Sequence, residues 1–250
     1  MLSLRVVLVC LIFVLSAAGQ VNAAHSDAPQ PEPAKKLTAE QRADVFMARK
    51  MYREAVDAYR QMPSTAILLN KIGIAFHQLG DFTAARKHYE KAMKMDKTYA
   101  DAVNNDGTIF YALKRYKPAI SRYKKALQLA PNTASFWSNL GTAQYSLGRY
   151  AEMSEAYQKA LALDPEIFER RGTVGTELQD RSVTDRARYH YELARLYAKS
   201  GKSELALQYL RKAMEEGLKD KVKLTQTPEF AELRETDEFK LVMSLEPRVL

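Results

Sequence analysis

Hydrophobic and polar positions recur with a period of 34 residues between residues 66 and 165. Within one period, apolar or small residues stand at i, i+3, i+4 and i+7, as Leu69, Ile72, Gly73 and Phe76 do, so they share one stripe of a predicted α-helix. A second apolar stretch follows in each period and predicts a second helix. Five columns keep their register in three consecutive copies: Gly73, Gly107 and Gly141; Phe82, Tyr116 and Tyr150; Ala85, Ala119 and Met153; Tyr89, Tyr123 and Tyr157; Ala92, Ala126 and Ala160.

The small residues in these columns favour close approach of the two helices of each pair. Glycine inside a helix costs about 1 kcal/mol relative to alanine. Its return at the same place in all three copies, beginning with Gly73, therefore indicates that a side chain there would obstruct packing. We expect Tyr89 and its counterparts to fill the space between neighbouring helix pairs.

The best copy carries a family resemblance. It reads W-S-N-L-G-T-A-Q from Trp137, continues L-G-R-Y, and closes on A-Y-Q-K-A-L-A-L-D-P at Pro165. This resembles the tetratricopeptide repeat (TPR), a helix–turn–helix unit of 34 residues with the pattern W-x2-L-G-x2-Y…A-x3-F…P. The resemblance implies an all-α fold, a right-handed superhelical solenoid of about five repeats with a C-terminal helical cap.

The remaining segments follow from where the repeat pattern holds and where it fails. Pro63 ends the second helix of a degenerate first repeat early, and the period breaks at Phe168 and returns at Ala187. The predicted organisation is a signal peptide (1–23), a Pro-rich tether (24–36), a degenerate TPR (37–65), three good TPRs (66–99, 100–133 and 134–167), an insertion (168–186), a further TPR (187–220) and C-terminal capping helices (221–250).

The C-terminal part of the chain contains two predicted capping helices and the 168–186 insertion. A capping threonine precedes acidic residues at Thr227 and again at Thr236, which predicts two short helices. We expect these helices to close the open end of the stack with Phe230, Leu233, Phe239 and Leu241. The 168–186 insertion is either a loop that folds over the binding groove or a spacer. From Phe168 onward the chain resembles bacterial secreted TPR proteins with an F-E-R-R-G-T-like insert.

The first 23 residues have the pattern of a secretory signal. Arg5 precedes an apolar run from Val6 to Val14, and V-N-A ends at Ala23. Cleavage there predicts an extracytoplasmic protein, periplasmic or secreted; the alternative is a protein anchored to the membrane by an uncleaved N-terminal helix. Cleavage would also remove Cys10, the one cysteine of the chain, and with it any disulfide or thiol chemistry.

No constellation typical of an enzyme stands out, so we predict a non-catalytic protein with no cofactor and no metal. His77 and Asp81 share a helical spacing of i, i+4, but two ligands do not make a metal site. No serine lies in a nucleophile-elbow motif, and the segment from Gly172 to Gly175 lacks the lysine of a phosphate loop.

Binding chemistry is better supported. In a TPR stack the first helices of the hairpins line the concave face, and asparagine offers a donor pair and an acceptor to an extended peptide backbone. The predicted peptide-binding residues are Asn70, Ile74, His77, Asn104, Asn105, Thr108, Tyr111, Ser138, Asn139, Thr142 and Tyr145. The alternative is that these asparagines are solvent-exposed residues of a helix face with no role in binding.

Charged residues add three expectations. Arg188, Tyr191 and Arg195 share a helix face, where they form either a patch for an acidic segment or a solvated surface. The predicted groove carries no basic set of the kind that clamps a C-terminal carboxylate. Asp106 stands where Ile72 and Leu140 stand in the other repeats, and a buried carboxylate needs a partner or water. It therefore indicates a local distortion or a functional pocket beside Tyr111.

The net charge is +8, spread over 38 basic and 30 acidic residues rather than massed in one block. Nucleic acid is excluded as the expected partner of an extracytoplasmic protein, whereas weak contact with an anionic membrane surface fits. We therefore predict a protein–protein interaction scaffold of the cell envelope that binds a peptide segment or partner in its concave groove. The alternative is an envelope adaptor whose basic surface binds anionic membrane or acidic polymer.

Overall fold

The computed structural model describes residues 37–169 and 183–245, and within these ranges all the regular secondary structure is helical. The all-α prediction is confirmed. The α-helices are α1 (Ala39–Ala48), α2 (Tyr52–Arg60), α3 (Ala66–Gln78), α4 (Phe82–Met95), α5 (Ala100–Ala112), α6 (Tyr116–Leu129), α7 (Ala134–Ser146), α8 (Tyr150–Leu163), α9 (Val183–Lys199), α10 (Ser203–Glu215), α11 (Lys221–Gln226) and α12 (Asp237–Ser244), with a 3₁₀ turn at Pro228–Phe230.

Consecutive helices pack as hairpins, and neighbouring hairpins pack on each other. The closest partners are α3 with α4, α5 with α6, α7 with α8 and α9 with α10, followed by the contacts that join one hairpin to the next. The first helices of the three good repeats each have 13 residues and the second helices 14. Helix α2 has only 9 residues and ends before Pro63, as the early stop predicts.

The recurring glycine in the first helix of each good repeat makes room for a tyrosine of the same hairpin. A Cβ atom added at Gly107 would lie 2.7 Å from Cε1 and 2.9 Å from Cδ1 of Tyr123, and Gly73 and Gly141 have the same relation to Tyr89 and Tyr157. All three rings are fully buried. The prediction of close packing at the glycines is therefore confirmed. The prediction that the tyrosines fill the space between neighbouring helix pairs was incomplete. Each ring also packs against the glycine of its own helix pair.

The turn after each first helix needs a left-handed residue. Gly80 has a φ of 77° and Gly148 a φ of 72°, but Lys114 occupies the equivalent place with a φ of 58°. Residues with a Cβ atom are strained in this region, and glycine is not.

Lys114→Gly should therefore stabilise the protein by about 0.5–1 kcal/mol, since the relief of strain exceeds the entropy that glycine adds to the unfolded chain. Lys125→Gly, inside α6 and exposed, is the matched control and should cost about 1 kcal/mol. Urea unfolding of both variants measures the difference. A destabilised Lys114→Gly variant would contradict the strain argument.

Asp106 belongs to a buried ion cluster and not to a distortion or a pocket. Its side chain is fully buried, with Oδ1 2.9 Å from Nε of Arg86 and Oδ2 2.8 Å from Nε of Arg122. Arg86 comes from α4 and Arg122 from α6, so one carboxylate joins two neighbouring hairpins. The guanidinium of Arg86 also stacks 4.5 Å from the ring centroid of Phe110. Both sequence interpretations of Asp106 were wrong because its partners lie on two other helices.

The C-terminal end closes mainly as predicted. Phe230, Leu233 and Phe239 are buried in one cluster with α9 and α10 residues. Leu241 is 58% exposed, so its predicted place in this cluster was wrong. The first predicted short helix is a 3₁₀ turn, whereas Thr236 caps α12 by accepting from the backbone N–H of Phe239. Helix α9 begins at Val183, within the predicted insertion, and the rest of the insertion from 170 to 182 lies outside the described residues.

Candidate functional site

A continuous row of side-chain amides crosses the first helices of the three good repeats. Nδ2 of Asn139 donates to Oδ1 of Asn104 at 2.9 Å, and Nδ2 of Asn104 donates to Oδ1 of Asn105 at 3.2 Å. Nδ2 of Asn105 then donates to Oδ1 of Asn70 at 3.0 Å, and Nδ2 of Asn70 donates to the Tyr99 hydroxyl at 3.4 Å. We call these five residues the amide ladder. The ladder joins α7, α5 and α3, and each asparagine donates to the next residue in the order from α7 to α3.

The spacing of these asparagines explains the ladder. Its two bonds between repeats join residues 35 positions apart, one period plus one residue, so each crosses to the next first helix. An asparagine amide has two N–H donors and two acceptor lone pairs. Asn104 and Asn105 each use one N–H and one lone pair in the ladder, which leaves one of each. The sequence shows the recurring asparagines but not that they bond to each other.

The ladder is largely buried. Asn70 is 5% exposed and Asn104 and Asn139 are each 6% exposed, whereas Asn105 is half-buried. The sequence places these side chains on an open face. Neighbouring first helices instead cover three of the four asparagines, because the hairpins stack closely enough for the side-chain amides to form hydrogen bonds with each other.

Four further predicted binding residues are also buried: Tyr111, Ser138, Thr142 and Tyr145. The Tyr111 hydroxyl lies 3.0 Å from Oγ of Ser146, and the Thr142 hydroxyl lies 2.9 Å from that of Tyr157. The Tyr145 hydroxyl donates to the backbone carbonyl of Asp185 at 2.6 Å. The openness expected of these positions is therefore wrong. Whether any of the predicted residues contacts a partner stays a prediction.

Four predicted residues remain partly open to solvent: Ile74 and His77 on α3, and Asn105 and Thr108 on α5. We call them the half-exposed row. Ile74 and Thr108 hold equivalent places in successive repeats, and the Thr108 hydroxyl donates to the backbone carbonyl of Asn105 at 2.8 Å. Burial lowers the pKa of His77, so its imidazole is neutral at neutral pH. The row thus combines an apolar side chain, an uncharged imidazole, an amide and a hydroxyl.

Metal binding at His77 finds no support in the geometry. Oδ1 of Asp81 accepts from the backbone N–H of Ala84 at 2.9 Å and caps α4. Residues 37–169 and 183–245 contain no group of three or more His, Cys, Asp or Glu side chains able to hold a metal ion. In the same ranges, no helix has both the length and the apolar character needed to cross a membrane. The predicted signal peptide and tether lie outside the described residues.

The predicted patch on α9 is more acidic than its sequence suggests. Arg195 donates to Glu192 at 2.9 Å and to Glu229 at 2.6 Å, so its charge is compensated within the protein. Burial raises the pKa of Glu192, although Arg195 opposes that shift. Tyr191 is buried, with its hydroxyl 2.9 Å from Oγ1 of Thr227.

Arg188 is the exposed member of the patch and lies 4.4 Å from the ring centroid of Tyr150. The patch borders a cavity of about 840 Å³ that also contains carboxylates. An acidic segment would therefore meet mixed charge there.

Three family models match the chain. One described as TPR repeat covers residues 107–148; two described as tetratricopeptide repeat cover 37–98 and, in two copies, 134–167 and 187–216. Together these matches cover more than half of the 250 residues. The comparison with curated proteins found no match.

Two solved structures illustrate what the chain is similar to. The pilF protein of Pseudomonas aeruginosa is 23% identical with a TM-score of 0.52, and the match covers 74% of this chain and 78% of that one. MamA from Desulfovibrio magneticus RS-1 is 24% identical with a TM-score of 0.48, covering 71% of this chain and 92% of that one. At these identities the pilF likeness supports the helical-repeat fold alone.

Proposed function

This chain belongs to the tetratricopeptide repeat proteins, a family of protein–protein interaction modules, and on that basis we propose that it holds an extended segment of a partner protein along α3 and α5. The segment lies over the half-exposed row, with the amide ladder beneath it. Solenoid repeats use extended surfaces of this kind for binding. The proposal places direct contact at the four partly open residues and gives the buried asparagines a supporting role.

The observation that carries the proposal is the ladder itself. Its bonds fix the amide of Asn105 between Asn104 and Asn70, so the remaining N–H and lone pair of Asn105 are held in place before a partner arrives. Preorganised groups lose less conformational entropy on binding. A backbone amide of an extended segment needs one donor and one acceptor, and Asn105 retains both.

Site-specific photo-crosslinking tests this proposal. A benzophenone amino acid replaces Thr108 in the full chain, expressed in its native cells; the matched control carries it at Ser121, which is exposed on α6. We expect a discrete adduct from position 108 and none from position 121, and Asn105→Ala should reduce the adduct at least about fivefold. Equal adducts from both positions, or none from position 108, would refute binding on this face.

We also propose that the protein works in the cell envelope as a non-catalytic scaffold. The signal-like pattern in residues 1–23 supports an extracytoplasmic location after cleavage. Edman sequencing of the protein recovered from its native cells should begin at Ala24. An intact N-terminus in the membrane fraction would favour the anchored alternative.

A second candidate function is adsorption to anionic membrane or acidic polymer. It is favoured by basic side chains that are exposed on second helices, namely Lys87, Lys124, Lys125 and Arg211. Salt separates the two functions, because exposed charges are strongly screened at about 0.5 M salt whereas contacts to an uncharged segment persist. Sedimentation with anionic vesicles that disappears at that concentration, while the position-108 adduct remains, would assign the two activities to different surfaces.

A further inference from the structure

A cavity of about 420 Å³ lies between α2 and α4, over α3. This volume is within the range of about 300–1,000 Å³ that is usual for ligand pockets. Its floor includes Leu68, Ile72 and Phe76. At 100° per residue these three positions lie on the side of α3 opposite Asn70, so the cavity is separate from the amide ladder.

One wall of the cavity is aromatic. The His88 ring stacks on Phe76 with centroids 5.4 Å apart and an interplanar angle of 18°. The guanidinium carbon of Arg60 lies 5.5 Å from the same Phe76 centroid. Nδ1 of His88 is buried and has no hydrogen-bond partner among the described residues. An apolar or aromatic side chain that enters this cavity would therefore meet an apolar floor and the stacked rings of Phe76 and His88.

The rim of the cavity is cationic. Arg60, Lys87 and Lys91 line it, and its lining, all within the described part of the chain, includes no aspartate or glutamate. Lys87 and Lys91 make no ion pair in residues 37–169 and 183–245, and like charges four apart on a helix repel each other. Arg60 has one nearby carboxylate, Asp57, at 4.0 Å and well exposed. Burial lowers the pKa of His88, and the three cations lower it further.

The next repeat has a carboxylate bound by cations near the equivalent place. One period further on, Asp106 replaces Ile72 and Arg122 replaces His88. There the chain supplies its own carboxylate, and two arginines hold it at 2.8–2.9 Å. In the α2–α4 cavity Tyr52 and His88 hold the places of Arg86 and Arg122, and its three cations come from other positions and meet no carboxylate in the lining.

We propose that the α2–α4 cavity is a second protein-docking site, which takes an acidic segment of a partner carrying a bulky apolar side chain between carboxylates. The apolar side chain enters over Ile72 and Phe76, and the flanking carboxylates pair with Arg60, Lys87 and Lys91. The inference shares with the proposed function only the premise that the chain binds proteins. It uses other helices and a different chemistry of recognition.

The test is an NMR titration of the isotope-labelled protein with the synthetic peptide acetyl-Gly-Glu-Asp-Phe-Asp-Glu-Gly-amide. We expect saturable shifts at His88 and its neighbours, with a Kd of about 0.1–1 mM for so short a peptide. Replacing the phenylalanine of the peptide with glycine should weaken binding at least about tenfold. Absence of saturable binding, or equal binding of the glycine peptide, would overturn the proposal.

Charge reversal supplies the matched comparison. Lys87→Glu with Lys91→Glu should weaken binding at least about tenfold, whereas Lys124→Glu with Lys125→Glu on α6 makes the same change in net charge and should weaken it less than about twofold. All four lysines are exposed, so the fold should be retained, and circular dichroism verifies this. Equal loss in both variants would mean adsorption to the general surface charge and would overturn the proposal.

Two further outcomes are decisive. Sodium dodecanoate that shifts His88 while the peptide does not would assign the cavity to a lipid-like anion and overturn the proposal. The Lys87→Glu and Lys91→Glu variant should still form the photo-crosslink at position 108. Loss of peptide binding with that crosslink intact therefore separates this site from the proposed function.

Discussion

Gly107→Leu is expected to unfold the α5–α6 hairpin. The first added atom alone would lie 2.7 Å from the ring of Tyr123, and the ring is completely buried, so it cannot swing into solvent. Three more carbon atoms must then fit between two helices that already touch. Overpacking of this kind usually costs about 1–3 kcal/mol, and we expect the upper end or more because the obstacle is a fixed aromatic ring. Thermal unfolding followed by Trp137 fluorescence measures the loss.

A control and a compensating change make this prediction specific. Ser121→Leu adds a similar side chain to the exposed face of α6 and should change stability by less than about 0.5 kcal/mol. Adding Tyr123→Ala to Gly107→Leu removes the clash, so the double variant should be more stable than the sum of the single changes predicts. A normal melting curve for Gly107→Leu, or strict additivity in this cycle, would reject the glycine–tyrosine packing.

Arg86→Met combined with Arg122→Met is expected to destabilise the protein by about 3–5 kcal/mol, because it leaves the buried carboxylate of Asp106 without a cation. The two arginine side chains are 31% and 33% exposed, while that of Asp106 has no exposed surface. Water can therefore hydrate the arginines but not the aspartate. Chemical denaturation at neutral pH measures the loss.

The same cluster offers its own rescue. Adding Asp106→Leu to the double variant introduces at position 106 the residue type of Leu140, which holds the equivalent position in the next repeat. This triple variant should regain most of the lost stability, since no unpaired charge then remains buried. Arg53→Met with Arg211→Met, both exposed, is the matched control and should change stability by no more than about 1 kcal/mol. A double variant as stable as the parent, or a triple variant that remains unstable, would contradict the ion-cluster account.

The sequence predicts the repeating part of the fold well because its periodicity is a direct consequence of helix packing. Small residues at Gly73, Gly107 and Gly141 occur where rings must approach a backbone, so their spacing identifies each helix pair. Isolated features are harder to predict. The strained φ of Lys114 becomes visible only when its place is aligned with Gly80 and Gly148, and helix α11 has only 6 residues and shows no repeat signal.

The candidate site is less predictable for a related reason. A single repeat shows that Asn70 and Asn104 face away from their own hairpin, but not how far the next hairpin covers them. Asp106 likewise looks anomalous until Arg86 and Arg122 approach it from two different helices. Burial at such positions depends on how hairpins stack, which is a property of several repeats together.

The half-exposed row is the surface on which the functional account depends, and one titration tests it most directly. The partner segment trapped at position 108 would be synthesised as a peptide and added to the isotope-labelled protein. The account predicts saturable NMR shifts at Ile74, His77 and Thr108 and at the side-chain amide of Asn105, with the signals of Lys87 and His88 unchanged. Shifts confined to α2 and α4, or to the C-terminal cap, would contradict it.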